Sequence, residues 1–229
     1  MIISLHVPKT AGTSFQQLLK REYGERLLLD YGDWVGLNSP EAITRRRERA
    51  ADMRRRRDDL MASYDVIHGH FMAEKYVDLF PHTAFVAFFR DPYQQTISNY
   101  EFLVRHPEAA QEYPIVKAFH DAKMSLHEYV EWEAVRSPQA DLMSDLQVED
   151  LAVVGLTEDF ARGVALFNKV FGARVESNVR LNANAAREQA SYQVPDDLRR
   201  LIDVNRERDI DVYRRAQESF ANLASKHGL

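Results

Sequence analysis

The sequence predicts an α/β fold with a mainly parallel central sheet. Short β-rich apolar runs alternate with longer segments of helical period along all 229 residues. Each motif rich in basic and hydroxyl-bearing residues follows directly on the end of one of those runs. In open parallel sheets that edge is where ligands bind. No repeat, low-complexity linker or shift of composition divides the chain. A single domain over residues 1–229 is therefore expected, with helical and loop insertions at about 36–59 and 105–150.

The elements read in order. Ile2–Val7 has the composition of a buried strand. Thr13–Tyr23 follows as a helix, with Phe15, Leu18 and Leu19 on one face and Gly24 as its stop. Tyr64–Ile67 reads as a second strand. Thr83–Phe89 is the strongest strand of the chain, and a helix after it is signalled by Asp91 as cap and Pro92 at the first helical position. Leu151–Gly155 is a fourth strand, followed by an amphipathic helix over Asp159–Phe171 that ends at Gly172. Pro195–Lys226 forms one or two terminal helices around Leu198, Leu201, Ile202, Val212, Tyr213 and Phe220.

Composition excludes several classes. The chain is 45% hydrophobic and 28% charged, which suits a packed core rather than disorder. It contains no cysteine, so disulfide scaffolds, thiolate zinc sites and cysteine nucleophiles are ruled out. No apolar run reaches the ~18 residues of a membrane span, and the N-terminus lacks the basic and small-residue features of a signal peptide. A cytoplasmic location is expected. The net charge of −5 is uneven: residues 44–60 hold eight arginines against four acids. That segment either attracts an anionic partner or is a solvated helix with pairs such as Asp52 and Arg56. Aromatics do not interleave with these arginines, so no nucleic-acid partner is expected.

Four motifs could carry chemistry. The loop from His6 through Pro8, Lys9, Thr10, Ala11, Gly12 and Thr13 to Ser14 joins the first strand to the first helix. It offers unpaired N–H groups, a lysine and three hydroxyls to an anion. It lacks the Gly-Lys-Ser/Thr ending of the Walker pattern. Arg90 ends the strongest strand, and its planar fork suits a phosphate. Ser98 lies roughly 9 Å further along the following helix. His68-Gly69-His70-Phe71 places alternate histidines just past the second strand, where one can accept a proton at neutral pH; without further ligands nearby, no metal is expected. Thr157 and Asp159, in the loop after the fourth strand, read as helix caps. Two separated anion sites and a base on one sheet edge suggest group transfer from a doubly phosphorylated donor to a hydroxyl.

In HVPKTAGTS, HGHF, RDPYQQTISNYEF and VGLTEDF, taken in order and spacing, the chain resembles the sulfotransferases that use 3′-phosphoadenosine 5′-phosphosulfate (PAPS). The likeness is greatest to the family-2 carbohydrate group that includes the heparan sulfate 2-O-sulfotransferases, and it spans about residues 1–172. It implies a P-loop-like three-layer fold and sulfuryl transfer from PAPS to a carbohydrate hydroxyl, without a metal. Residues Pro8–Ser14 would hold the 5′-phosphosulfate, with Lys9 stabilising the leaving phosphate. Arg90 and Ser98 would clamp the 3′-phosphate. His70 would be the general base and His68 its support, with Glu74 and Glu101 as fallbacks. Where the family often has a second arginine this chain has Gln95, so a weaker clamp is expected there. Residues 174–191 are the candidate adenine-side loop. A nucleotide kinase and a non-catalytic polyanion-binding homologue are the competing readings. The acceptor's identity and the oligomeric state are not legible.

Overall fold

The computed structural model describes residues 1–176 and 191–229. Strand β1 (Ile2–Leu5) leads into α1 (Gly12–Tyr23) and then β2 (Leu27–Asp30). Helices α2 (Pro40–Arg55) and α3 (Arg57–Ser63) precede β3 (Val66–Gly69) and β4 (Ala84–Phe89). A helical stretch follows: α4 (Pro92–Arg105), α5 (Pro114–Asp121), α6 (Leu126–Glu131) and α7 (Pro138–Met143). Strand β5 (Val153–Leu156), α8 (Phe160–Phe171), α9 (Asp196–Asn205) and α10 (Glu207–Lys226) complete the chain.

The five strands form one parallel sheet in the order β2-β3-β1-β4-β5. The expectation of four strands was one short. β2 was missed, and β3 runs to Gly69, so His68 lies within the strand rather than past it. Gly69 is required there: a Cβ would stand 1.7 Å from the Asp30 carbonyl oxygen of neighbouring β2.

Helices cover both faces of the sheet. Phe15 of α1 meets Phe88 of β4 at 4.7 Å and Phe167 of α8 at 5.2 Å between ring centroids, so α1 and α8 share one face. Ser4 and His68 point to that side too, since His68 also meets Phe15 edge-on. Alternation then turns Ile3, Leu5 and Ile67 to the opposite face. None of these is more than 2% exposed, so that face is covered as well. The result is the three-layer α/β arrangement expected from the sequence.

The connectivity selects where a ligand binds. From β1 the chain runs through α1 outward to β2, whereas from β4 it runs the other way to β5. β1 and β4 are neighbours, so the order reverses between them. The crevice beyond their C-terminal ends is where open α/β sheets take ligands, and the loops there begin at His6 and Arg90.

Candidate active site

The loop after β1 is tied down through its carbonyls. Thr10 Oγ1 donates to the Val7 oxygen at 2.9 Å, Gln95 Nε2 to the Pro8 oxygen at 3.0 Å, and Arg90 Nη1 to the Lys9 oxygen at 3.1 Å. Lys9 and Ala11 both take left-handed backbone at φ 65°. Such a turn at a helix start forms an electropositive concavity. The first turn of α1 has no acidic residue and its N-cap makes no side-chain bond, so no carboxylate of that turn offsets the positive end of the helix dipole. Gly12 serves close approach rather than unusual dihedrals. A Cβ on it would lie 1.8 Å from the His6 ring. Thr13 is exposed, Ser14 is buried, and the Thr10 proton is spent within the loop.

Gln95, where the resemblance implies a second arginine, is 1% exposed and anchors the loop through Pro8. Arg90 is held at its main chain by Gln139, whose amide accepts from the Arg90 N–H at 3.0 Å and donates to its carbonyl at 2.9 Å. Asp209 in turn accepts from the backbone N–H of Gln139 and Ala140 at 3.3 and 2.8 Å. Burial pushes the Asp209 carboxyl up to about 7. Ser98 is buried on α4, with Asp91 capping that helix by accepting from the Gln94 N–H at 3.0 Å. The Lys9 ammonium sits 4.4 Å from the Phe102 ring centroid. Burial, with the charges of Arg105 and Arg90, lowers it to about 8.

Three imidazoles stack beside the loop. His6 lies 4.2 Å from His70 and 5.1 Å from His68 between centroids. His6 was not among the expected site residues, and neither was Tyr31. The Tyr31 hydroxyl donates to Gln16 Oε1 at 2.8 Å, so the His6 Nδ1 that meets the same hydroxyl at 2.8 Å is the donor of that pair. His68 Nδ1 pairs with the Ser4 hydroxyl at 2.8 Å. Burial drives all three down. His68 falls to about 3, helped by the charge of His70; His70 falls to about 4, with the His6 backbone pulling the other way. His70 Nδ1 and His68 Nε2 are buried without a partner in hydrogen-bond geometry among the described residues. The His70 ring lines a cavity.

The cavity encloses about 330 Å³. His6, Pro8, Thr13, Tyr31 and His70 form one wall, and residues 34–37 with parts of α4, α5 and α7 form the others. Arg90 and Ser98 are not in its lining, so the loop after β1 separates a histidine side from an arginine side.

Other expectations resolve differently. Thr157 does not cap α8; its hydroxyl donates to the Phe89 carbonyl at 3.0 Å, and Asp159 makes no capping bond. Glu74 is exposed beside Arg54 and Arg57, away from the histidines. Half of the arginine-rich segment is turned inward, and Arg47, Arg54, Arg55 and Arg56 are exposed. Arg49 pairs with Asp33 at 2.6 Å and with Asp30, Arg45 binds the Gly32 carbonyl, Arg46 the Leu37 carbonyl, and Arg57 the Leu79 carbonyl. Asp52 does pair with Arg56, at 3.5 Å. Lys75, 4% exposed, bonds Asp30 at 2.6 Å and Asp33 at 2.8 Å, and the Tyr76 hydroxyl donates to Asp30 at 2.8 Å. This buried network fixes the loop that carries Tyr31. Most of the proposed adenine-side loop, from 177 to 190, lies outside the described residues. Among the described residues no group of three or more His, Asp or Glu could hold a metal ion, and no helix is long and apolar enough to cross a membrane.

No family model matches the chain, and no curated protein matches it. Among solved structures it is similar to the crystal structure of a sulfotransferase from Alicyclobacillus acidocaldarius, at 15% identity over 97% of this chain and 95% of that one, with a TM-score of 0.42.

Proposed function

We propose that the protein is a PAPS-dependent sulfotransferase acting on a hydroxyl. One observation carries the reading. At the reversal of strand order, a cationic loop at a helix start bonds Arg90 on one side and borders a histidine stack on the other. The residues present fit the donor: the left-handed turn at Lys9 and Ala11 suits an oxyanion, and the guanidinium of Arg90 lies across the same loop.

When bound, PAPS supplies the sulfuryl group and a bisphosphate leaving group. The Pro8–Ser14 turn and the α1 N-terminus hold the 5′-phosphosulfate. Lys9 stabilises charge on the departing phosphate oxygen. Arg90, with Ser98, receives the 3′-phosphate. His70 takes the proton of the attacking hydroxyl, for which its neutral form is required. His68 and His6 keep the His70 ring in place. By itself the resemblance points to a carbohydrate hydroxyl as acceptor, and a cytoplasmic location is proposed with the reading.

Calorimetry with adenosine 3′,5′-bisphosphate and transfer from radiolabelled PAPS test the reading together. Lys9→Ala and Arg90→Ala are expected to weaken bisphosphate binding by about tenfold or more, the range of a lost charged contact. His70→Ala is expected to keep that binding and lose transfer by about 100-fold or more. Full transfer by His70→Ala would remove the assigned base. Tight binding of ATP–magnesium with no preference for a 3′-phosphate would replace the whole reading with a kinase.

A further inference from the structure

Resting on the sulfuryl-transfer reading, we propose that the acceptor is a small, uncharged, largely apolar alcohol or phenol. Its hydroxyl reaches His70, and its carbon body fills the cavity of about 330 Å³ beside that residue.

Size is the first ground. The volume is at the small end of the ~300–1,000 Å³ typical of small-molecule sites, so it takes one compact molecule. Chemistry is the second. Away from the histidines the walls are carbon: Val35, Leu37, Phe102, Leu103, Ile115 and Val116. Trp34 adds an aromatic wall held from behind by the Arg45 guanidinium, 4.5 Å from its ring centroid.

Pairing is the third ground. A sugar ring presents hydroxyls all round and needs a matching set of donors and acceptors; polar groups left unpaired against the apolar walls are costly. Here several of the polar lining groups are engaged with the protein, and the hydroxyls of Thr13 and Tyr113 are the exceptions. Tyr31 is joined to Gln16 and His6, Asn99 donates to the Tyr129 hydroxyl at 2.7 Å, and Asp141 pairs with Arg208 at 2.7 Å. Charge is the fourth. Among the described residues the lining holds no lysine or arginine, and its one carboxylate is Asp141. A sulfated or uronic acid acceptor would find no counter-charge there.

The step balances without a redox partner. The acceptor oxygen forms an O–S bond as the bond from sulfur to the 5′-phosphate oxygen breaks. The hydroxyl proton passes to His70, and the electron pair of the broken bond leaves with the bisphosphate. The product is an organic sulfate monoester, which leaves its apolar body to be withdrawn from the cavity.

The test uses the full chain. Bisphosphate affinity is measured first by calorimetry. Transfer from radiolabelled PAPS is then compared for 2-naphthol, N-acetylglucosamine and a heparin-derived disaccharide. The expected result is a kcat/KM for 2-naphthol at least about 100-fold above either sugar. An equal or higher value for a sugar, with bisphosphate binding intact, overturns the apolar acceptor and leaves the transfer reading standing. Absent bisphosphate binding overturns the transfer reading. In that case quenching of tryptophan fluorescence by 2-naphthol decides the occupant by itself: saturable quenching supports it and none overturns it. Ile115→Lys places a cation among the carbon walls and is expected to lower kcat/KM for 2-naphthol at least tenfold with bisphosphate affinity unchanged. Should that variant lose bisphosphate binding through misfolding, Ile115→Trp fills the same space without a charge. Undiminished 2-naphthol turnover in the folded variant overturns the proposal.

Discussion

His70 and Lys9 must be in opposite protonation states for the proposed step, and their surroundings separate their titrations. Burial brings His70 down to about 4, so it is a neutral acceptor over most of the accessible range. Lys9, lowered to about 8 by burial and by Arg105 and Arg90, carries its charge below that pH. Activity that needs neutral His70 is lost as pH falls through about 4. Activity that needs charged Lys9 is lost as pH rises through about 8. A plot of log kcat/KM against pH is therefore expected to show an alkaline limb near 8, which belongs to the free enzyme, and to stay flat below it for as long as the chain remains folded. Lys9→Arg should carry the alkaline limb upward, because a guanidinium does not titrate there. An alkaline limb unmoved by that change would assign it to another group. At Gly12 the constraint is steric. A Cβ would meet the His6 ring at 1.8 Å, and that ring is stacked on His70 at 4.2 Å. Gly12→Ala is expected to cost about 1–3 kcal/mol of stability and to disturb His70 without touching it, read as a lower melting temperature and a reduced kcat.

At the scale of elements, α7 governs the site from a distance. Gln139 closes two hydrogen bonds on the Arg90 main chain, and α7 is fastened to α10 by the Asp209 carboxylate. Gln139→Leu keeps the volume but strands a main-chain N–H and a carbonyl. Each unpaired buried group costs about 1–3 kcal/mol, so urea denaturation should show a loss of that order or more. Calorimetry should show weaker bisphosphate binding, since Arg90 also supports the Lys9 carbonyl. A stability loss with bisphosphate affinity intact would make the clip purely structural. None of this link was legible in the sequence, because Gln139 and Arg90 are 49 residues apart and no local pattern joins them. β2 was missed for a related reason. Leu27–Asp30 is four residues at the sheet edge, too short to display a period, and its partners lie in β3. With it went Tyr31, which orients His6. The elements read correctly carry their evidence locally: the apolar run of β4, the Asp91–Pro92 start of α4 and the Gly172 stop of α8. The basic loop and the histidine pair were visible because each follows such a run. The inward pairing of the arginines was hidden, because it depends on carboxylates and carbonyls that the fold brings to them.

For the whole molecule, the same buried groups set the response to acid. The unfolded chain titrates histidine near 6.5, whereas burial, aided at His6 and His68 by neighbouring charge, holds His6, His68 and His70 neutral in the fold well below that. Below about pH 6.5, wherever all three stay neutral in the fold, the unfolded state thus binds up to three more protons than the folded state at these sites, and their contribution to stability falls as pH falls. Asp209 opposes them. Its folded value near 7, against an ordinary value of 3.8, means that the folded state holds one extra proton in the same window. Asp30 does not enter: burial pushes it up, but Lys75, Tyr76 and Arg49 together hold it below 3.8, so it is ionised in both states there. The net difference is two protons, which at about 1.4 kcal/mol per proton per pH unit gives a slope of about 3 kcal/mol per pH unit. Set against a total stability of ~5–15 kcal/mol, that slope predicts cooperative acid unfolding within a few units below neutrality. Urea midpoints measured from pH 4.5 to 7.5 should fall steeply below 6.5. Asp209→Asn supplies the sharper check. The Gln139 and Ala140 N–H groups bond different oxygens of Asp209, so the amide keeps the shorter bond, from Ala140, and gives up the longer one, while the opposing proton is removed. The slope should then rise from two protons toward three. A slope unchanged in Asp209→Asn would show that the carboxyl is ionised in the fold, and a flat profile in the parent chain would show that the histidine stack is charged there.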